Sequence, residues 1–142
     1  MTRLALRLVL LLFISLQSAC SQQSKPSLYQ QLGGEAGISA ITDGLLYEIE
    51  HDERIVHHFA DTDIARFRRL LAEQLCEISG GPCQYSGETM AKSHTGFNIS
   101  LADFDALVEE QITEKQQQNI PISAQNQLHP KLAPKNKEIS YR

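Results

Sequence analysis

Gly80-Gly81-Pro82-Cys83-Gln84-Tyr85-Ser86-Gly87-Glu88-Thr89-Met90-Ala91-Lys92-Ser93-His94 is the stretch that decides how the rest of this chain is read. Two glycines end the helix before it, and a proline-led, turn-rich loop follows. A short helical turn then sets Met90 and His94 four residues apart on one face. A histidine presented beside an apolar thioether suits a single imidazole ligand on a flat apolar cofactor.

Outward from this stretch, helix signals dominate. Ser27 can cap a short helix over Leu28 to Leu32, which Gly33-Gly34 ends. Ile38, Ile41, Leu45 and Ile49 recur at helical spacing and predict an amphipathic helix of about four turns. Asp52 to Phe59 reads as a short helical corner. Asp61 to Ile78 repeats the apolar pattern through Ile64, Phe67, Leu71, Leu75 and Ile78. Ser100 and Asp103 form a capping-box pattern. It opens a helix whose apolar face is Leu101, Phe104, Leu107, Val108 and Ile112. A last helix starts near Pro121, with Pro130 and Pro134 expected to kink or break it. No stretch alternates like a strand, so the fold class is all-α.

At 142 residues the chain is long enough for one small domain. Aromatic residues make up 6% and tryptophan is absent, so the core is lean and a bound apolar cofactor would help fill it. The first residues are a separate matter. Arg3 and Arg7 precede an apolar run from Leu8 to Leu16, broken only by Ser15, and Gln17-Ser18-Ala19-Cys20 follows. This is the layout of a secretory signal, too short to span a membrane. The small residues before Cys20 resemble a bacterial lipobox, with Gln17 standing where an aliphatic residue is usual. On that reading residues 1–19 are a signal peptide, residues 20–27 a lipidated cysteine and polar tether, and residues 28–142 the folded domain. The alternative is ordinary cleavage nearby, releasing a soluble periplasmic protein. Either way the chain is exported.

Without Arg3 and Arg7, 11 basic side chains face 17 acidic ones. An acidic domain with no basic stripe argues against nucleic-acid binding. Cys76 and Cys83 flank the Gly-Gly-Pro turn. In an oxidising compartment a disulfide between them would pin the helix end to the loop, whereas the alternative is two free thiols. Two cysteines and one candidate metal histidine make no convincing zinc set.

In order along the chain, Leu32-Gly33-Gly34, the Phe59-Ala60-Asp61-Thr62-Asp63 corner, the Gly-Gly-Pro-x-x-Tyr-x-Gly-x-x-Met stretch and His94 resemble the truncated haemoglobins, most closely their first group. The resemblance runs from about Leu28 to Ile139. It implies a globin-like, two-over-two helical sandwich around haem b, held without covalent attachment because Cys-x-x-Cys-His is absent. It further implies that His94 is the proximal iron ligand, that Phe59 stacks on haem and that Met90 packs on the proximal side. Tyr85 and Thr62 match positions near the haem edge. Arg66, Arg68 and Arg69 are candidate propionate partners by charge.

The distal side departs from the family. The usual ligand-binding tyrosine position falls on Leu46, with Tyr47 one residue off and therefore rotated by about 100°. The next two distal positions are Phe67 and Leu71. These distal residues are all apolar. Dioxygen held on ferrous haem carries partial negative charge, and a hydrogen bond to a charged group contributes roughly 1.5–3 kcal/mol. Its absence implies oxygen that binds more weakly or leaves faster, with carbon monoxide and nitric oxide less affected.

The function expected is reversible binding of a diatomic gas (O2, CO or NO). A nitric oxide dioxygenase or peroxidase is the alternative. The first needs a reductase partner that the sequence does not show, and the second a distal acid–base residue. A haem-free helical lipoprotein acting as an interaction module is a further alternative. His57 and His58 read as solvated corner residues, and His51 and His129 as surface residues.

Overall fold

The computed structural model describes residues 25–117 and 119–141. The signal-like run and Cys20 lie outside the described residues. Among those described there are seven α-helices and no strand: α1 (Leu28–Gln31), α2 (Gly34–His51), α3 (Ile64–Ile78), α4 (Met90–Ser93), α5 (Leu101–Gln117), α6 (Ile122–Leu132) and α7 (Asn136–Ile139). Single 3-10 turns occupy Val56–Phe59 and Ala133–Lys135. None of these helices is long and apolar enough to cross a membrane.

Ser27 starts α1 through a reciprocal cap. Its hydroxyl accepts from the Gln30 amide, and the Gln30 side chain accepts from the Ser27 amide at 2.9 Å. Gly33 and Gly34 have φ of +93° and +64°, which turns the chain sharply into α2. Gly37 is required by packing, since a Cβ there would lie 1.8 Å from the Leu32 carbonyl oxygen. The stripe Ile38, Ile41, Leu45 and Ile49 is buried as its spacing predicts. Thr42 joins it by donating its hydroxyl to the Ile38 carbonyl at 2.8 Å.

α2 packs against both α3 and α5, and α1 packs against α6. The interior falls into two clusters. One gathers Leu28, Leu32, Ile38, Ile41, Leu75, Cys76, Ala124 and Leu128. The other gathers Leu45, Ile49, Ile55 and Ala106, with Phe59, Phe67 and Leu107 against it. Leu71 borders both. Fully burying a side chain such as Leu or Ile contributes about 1.5–3 kcal/mol, so these clusters dominate stability.

Two helix boundaries and the burial of two stripe residues differ from the sequence expectation. α3 begins at Ile64 rather than Asp61, because Asp63 takes the cap and accepts from the Arg66 amide at 2.9 Å. Ile64 and Leu101 belong to the apolar stripes yet are 47% and 49% exposed, since each opens its helix beyond the packed region. α6 runs through Pro130 and passes into the 3-10 turn at Ala133, so the expected break falls at the turn holding Pro134.

The corner after α2 is held electrostatically. The Arg54 guanidinium reaches Asp52 at 2.7 Å, Glu109 at 2.9 Å and Glu110 at 3.4 Å, joining the corner to α5. Hydrogen bonds from Arg54 hold the Asp52 carboxyl down at about 2. Burial pushes the Glu110 carboxyl up, with its neighbours Asp52 and Glu48 adding to the effect.

Candidate functional site

The loop after α3 is fastened to that helix along its length. A disulfide joins Cys76 to Cys83, with Cα atoms 5.7 Å apart. The Tyr85 amide donates to Glu77 at 3.3 Å. The amide and hydroxyl of Ser86 donate to Glu73 at 3.0 and 2.6 Å, and Arg69 donates to the Ser86 hydroxyl at 2.9 Å. The Ser86 contacts hold the Glu73 carboxyl below the usual carboxylate range. Gly81 lets the loop close: a Cβ there would lie 2.6 Å from Cys76 Sγ and 2.7 Å from the Tyr29 ring. Gly87 lies under the Tyr85 ring, where a Cβ would meet the phenolic oxygen at 2.3 Å.

This fastened loop delivers α4. Thr89 caps it by accepting from the Lys92 amide, Met90 is buried, and His94 closes it as a half-buried C-cap. Nδ1 of His94 lies 2.7 Å from the Met90 carbonyl oxygen. A carbonyl only accepts, so Nδ1 is the donor, and in the neutral ring Nε2 then keeps its lone pair. That is the tautomer a metal-binding imidazole needs, with its orientation fixed by the second nitrogen.

Phe59 and Phe67 stack obliquely with ring centroids 5.3 Å apart, and with Leu71 they pack on the second core cluster. The structure therefore brings together three apolar residues that the sequence singled out. Leu46 is half-buried and shares a groove of about 510 Å³ with Phe59, Ile49, Val56 and Tyr47. Tyr47 is 60% exposed and stacks on His51 at 4.3 Å, while the His51 ring bonds the Tyr47 carbonyl. The one-residue slip thus leaves the phenol largely in solvent, on the wall of the same groove as Leu46.

The three arginines of α3 separate clearly. Arg68 pairs with Asp43 and donates to Ser39 at 2.8 Å, tying α3 to α2. Arg69 pairs with Glu73. Both are therefore committed within the protein and do not serve as the free cations their charge suggested. Arg66 is exposed, and its guanidinium has no partner among the described residues. Thr62 is half-buried one residue before the α3 cap. His58 also differs from expectation. It is not a solvated corner residue, because its ring faces Asp103 at 3.3 Å and stacks near His57 at 4.0 Å. Asp103 is held low chiefly by the Ser100 amide and hydroxyl at the start of α5.

Sequence reading passed over Gln74. Its amide nitrogen donates to Met90 Sδ at 3.3 Å. The available signal was its position three residues beyond Leu71 and seven beyond Phe67, a polar residue on an apolar stripe.

The profile of the bacterial-like globin family matches residues 27–130. The chain belongs to the bacterial-like globin family. It is 30% identical over 87 residues to the group 1 truncated haemoglobin of Tetrahymena thermophila, covering 61% of this chain and 72% of that protein. To the group 1 truncated haemoglobin of a Nostoc species it is 38% identical over 81 residues, covering 57% and 69%. The Fe(III) crystal structure of the Tetrahymena pyriformis truncated haemoglobin superposes with a TM-score of 0.79 at 25% identity, covering 82% of this chain and all of that one. The Bacillus anthracis group II protein, at 18% identity and a TM-score of 0.74, shares the fold. The helices are thus those of the two-over-two globin sandwich. Globins are haem–iron proteins, haem b being the usual form, and they bind diatomic gases.

Proposed function

We propose that this globin holds haem b through Nε2 of His94 and reversibly binds a diatomic gas beside Leu46, Phe67 and Leu71. The observation that carries the reading is the bond from His94 Nδ1 to the Met90 carbonyl, which in the neutral ring leaves the other nitrogen a lone pair. The remaining residues fit the group. Phe59, Phe67 and Leu71 supply an apolar lining, Met90 packs beside the ligand histidine, and Arg66 is the arginine of α3 left uncommitted for a propionate. Thr62 and Tyr85, at positions that match the haem edge, would supply hydroxyls for a propionate. When bound, haem supplies the iron at which the gas is taken up.

Leu46, Phe67 and Leu71 offer the gas no hydrogen-bond donor. The missing donor corresponds to about ten- to a hundredfold in oxygen affinity. These residues therefore favour a protein that discriminates little for oxygen over carbon monoxide or nitric oxide. They also argue against peroxide turnover, which relies on a distal acid–base group. The test is a haem titration followed by flash photolysis and stopped-flow measurement of all three gases. Fast oxygen dissociation with ordinary carbon monoxide binding is expected. Slow oxygen dissociation would contradict the apolar-pocket part of the reading.

We also propose export, with residues 1–19 removed and Cys20 lipidated on the periplasmic face of a bacterial membrane. The domain from residue 28 then follows a short tether. Support comes from the signal-like layout and from the Cys76–Cys83 disulfide, which suits an oxidising compartment. Metabolic labelling with a fatty acid, lost in Cys20→Ala, tests the anchor.

A further inference from the structure

Met90 is held at two points. Its thioether accepts from the Gln74 amide of α3 at 3.3 Å, and its carbonyl accepts from Nδ1 of His94 at 2.7 Å. We propose that Gln74 is a positioning residue for the His94 imidazole, acting through Met90. The inference rests on the reading of His94 as the iron ligand.

First, a methionine side chain has three rotatable bonds and adapts readily to irregular space, so apolar packing alone selects its rotamer weakly. A directed N–H contact to sulfur selects one. Second, Met90 opens α4, a helix of one turn between Thr89 and His94. A helix this short has little stability of its own and takes its position from tertiary contacts. The covalent and polar fastenings from α3 end at Tyr85 and Ser86. Gln74–Met90 carries the connection four residues further, to the residue that orients the imidazole. Third, Gln74 is half-buried and sulfur is a weak acceptor. A hydrophobic residue of equal size would fill that space at least as well, so bulk alone does not explain an amide there.

The chain Gln74–Met90–His94 joins the helix carrying Phe67 and Leu71 to the residue proposed to hold iron. Both sides of the haem site thereby share one frame. Loss of the amide should loosen the imidazole without disturbing the rest of the fold.

The full chain is used for the test, with and without haem. In the haem-free protein, the readout is solvent exchange of the His94 Nδ1 proton by nuclear magnetic resonance. In the haem-loaded protein, it is the iron–imidazole stretch by resonance Raman. Gln74→Met keeps the bulk and removes the donor. It should speed the exchange about two- to fivefold, as expected for a weak hydrogen bond, and shift the stretch. Gln74→Glu, ionised, should do the same. Met90→Leu should reproduce both changes, and adding Gln74→Met to it should change nothing more. Wild-type behaviour in Gln74→Met, or an undiminished effect in the Met90→Leu background, overturns the proposal. If the wild type takes up no haem, the gas-binding reading fails and the ligand role falls with it. The exchange measurement still decides whether Gln74 orders His94.

Discussion

Reduction of the Cys76–Cys83 disulfide is the perturbation whose size the structure allows to be worked out. The two residues are 7 apart in sequence, so the bridge closes a loop of about eight residues. Loop-closure entropy for such a loop corresponds to about 2.5 kcal/mol at 25 °C. The polar fastenings at Glu73, Glu77 and Arg69 remain after reduction, so the loop loosens rather than detaches. For a domain of this size, 2.5 kcal/mol lowers Tm by about 10 °C. Cys83 is exposed, so a dithiol can reach the bond, while Cys76 is buried. Chemical reduction is therefore a cleaner perturbation than Cys76→Ala, which adds a cavity. The assay is thermal unfolding followed by circular dichroism, with and without dithiothreitol. Because the loop delivers His94, haem transfer to an acceptor globin should also quicken on reduction. A Tm change below about 2 °C would show that the bridge constrains nothing the other contacts do not.

Leu71→Gln places an amide at the border of both core clusters, and oxygen dissociation should slow about ten- to a hundredfold by stopped flow; an unchanged rate would mean that residue 71 does not face the gas. Gly81→Ala forces a Cβ to 2.6 Å from Cys76 Sγ and 2.9 Å from the Cys76 carbonyl, so urea unfolding should show a loss of about 1–3 kcal/mol. The Asp52 carboxyl titrates near 2 in the folded state, below its ordinary value of 3.8. Its stabilising effect is therefore complete above that ordinary value and is lost as pH falls toward 2. The Tm gap between wild type and Asp52→Asn should narrow over that window, and a constant gap would locate the effect elsewhere.

Much of the fold was legible because burial and periodicity coincide. Ile38, Ile41, Leu45 and Ile49 face inward for the reason their spacing implies. The Ser27 and Ser100 caps were legible for a similar reason, since both partners lie within three residues. Gly37 was not, because its reason is a carbonyl contributed by another element. The same limit applies to the arginines. Charge alone made Arg66, Arg68 and Arg69 equivalent. They differ because Asp43 lies 25 residues before Arg68 and Ser86 lies 17 after Arg69, and only the fold brings these together. His58 read as solvated because its partner Asp103 stands at the start of a distant helix. Gln74 was illegible because a single polar residue on an apolar stripe has many explanations until its neighbour is known.

The central claim is that His94 holds the haem iron, and His94→Gly tests it most directly. The ferrous spectrum of the haem-loaded variant should lose the imidazole signature and recover it when free imidazole is added. An unaltered wild-type ferrous spectrum in His94→Gly, without added imidazole, would contradict the account.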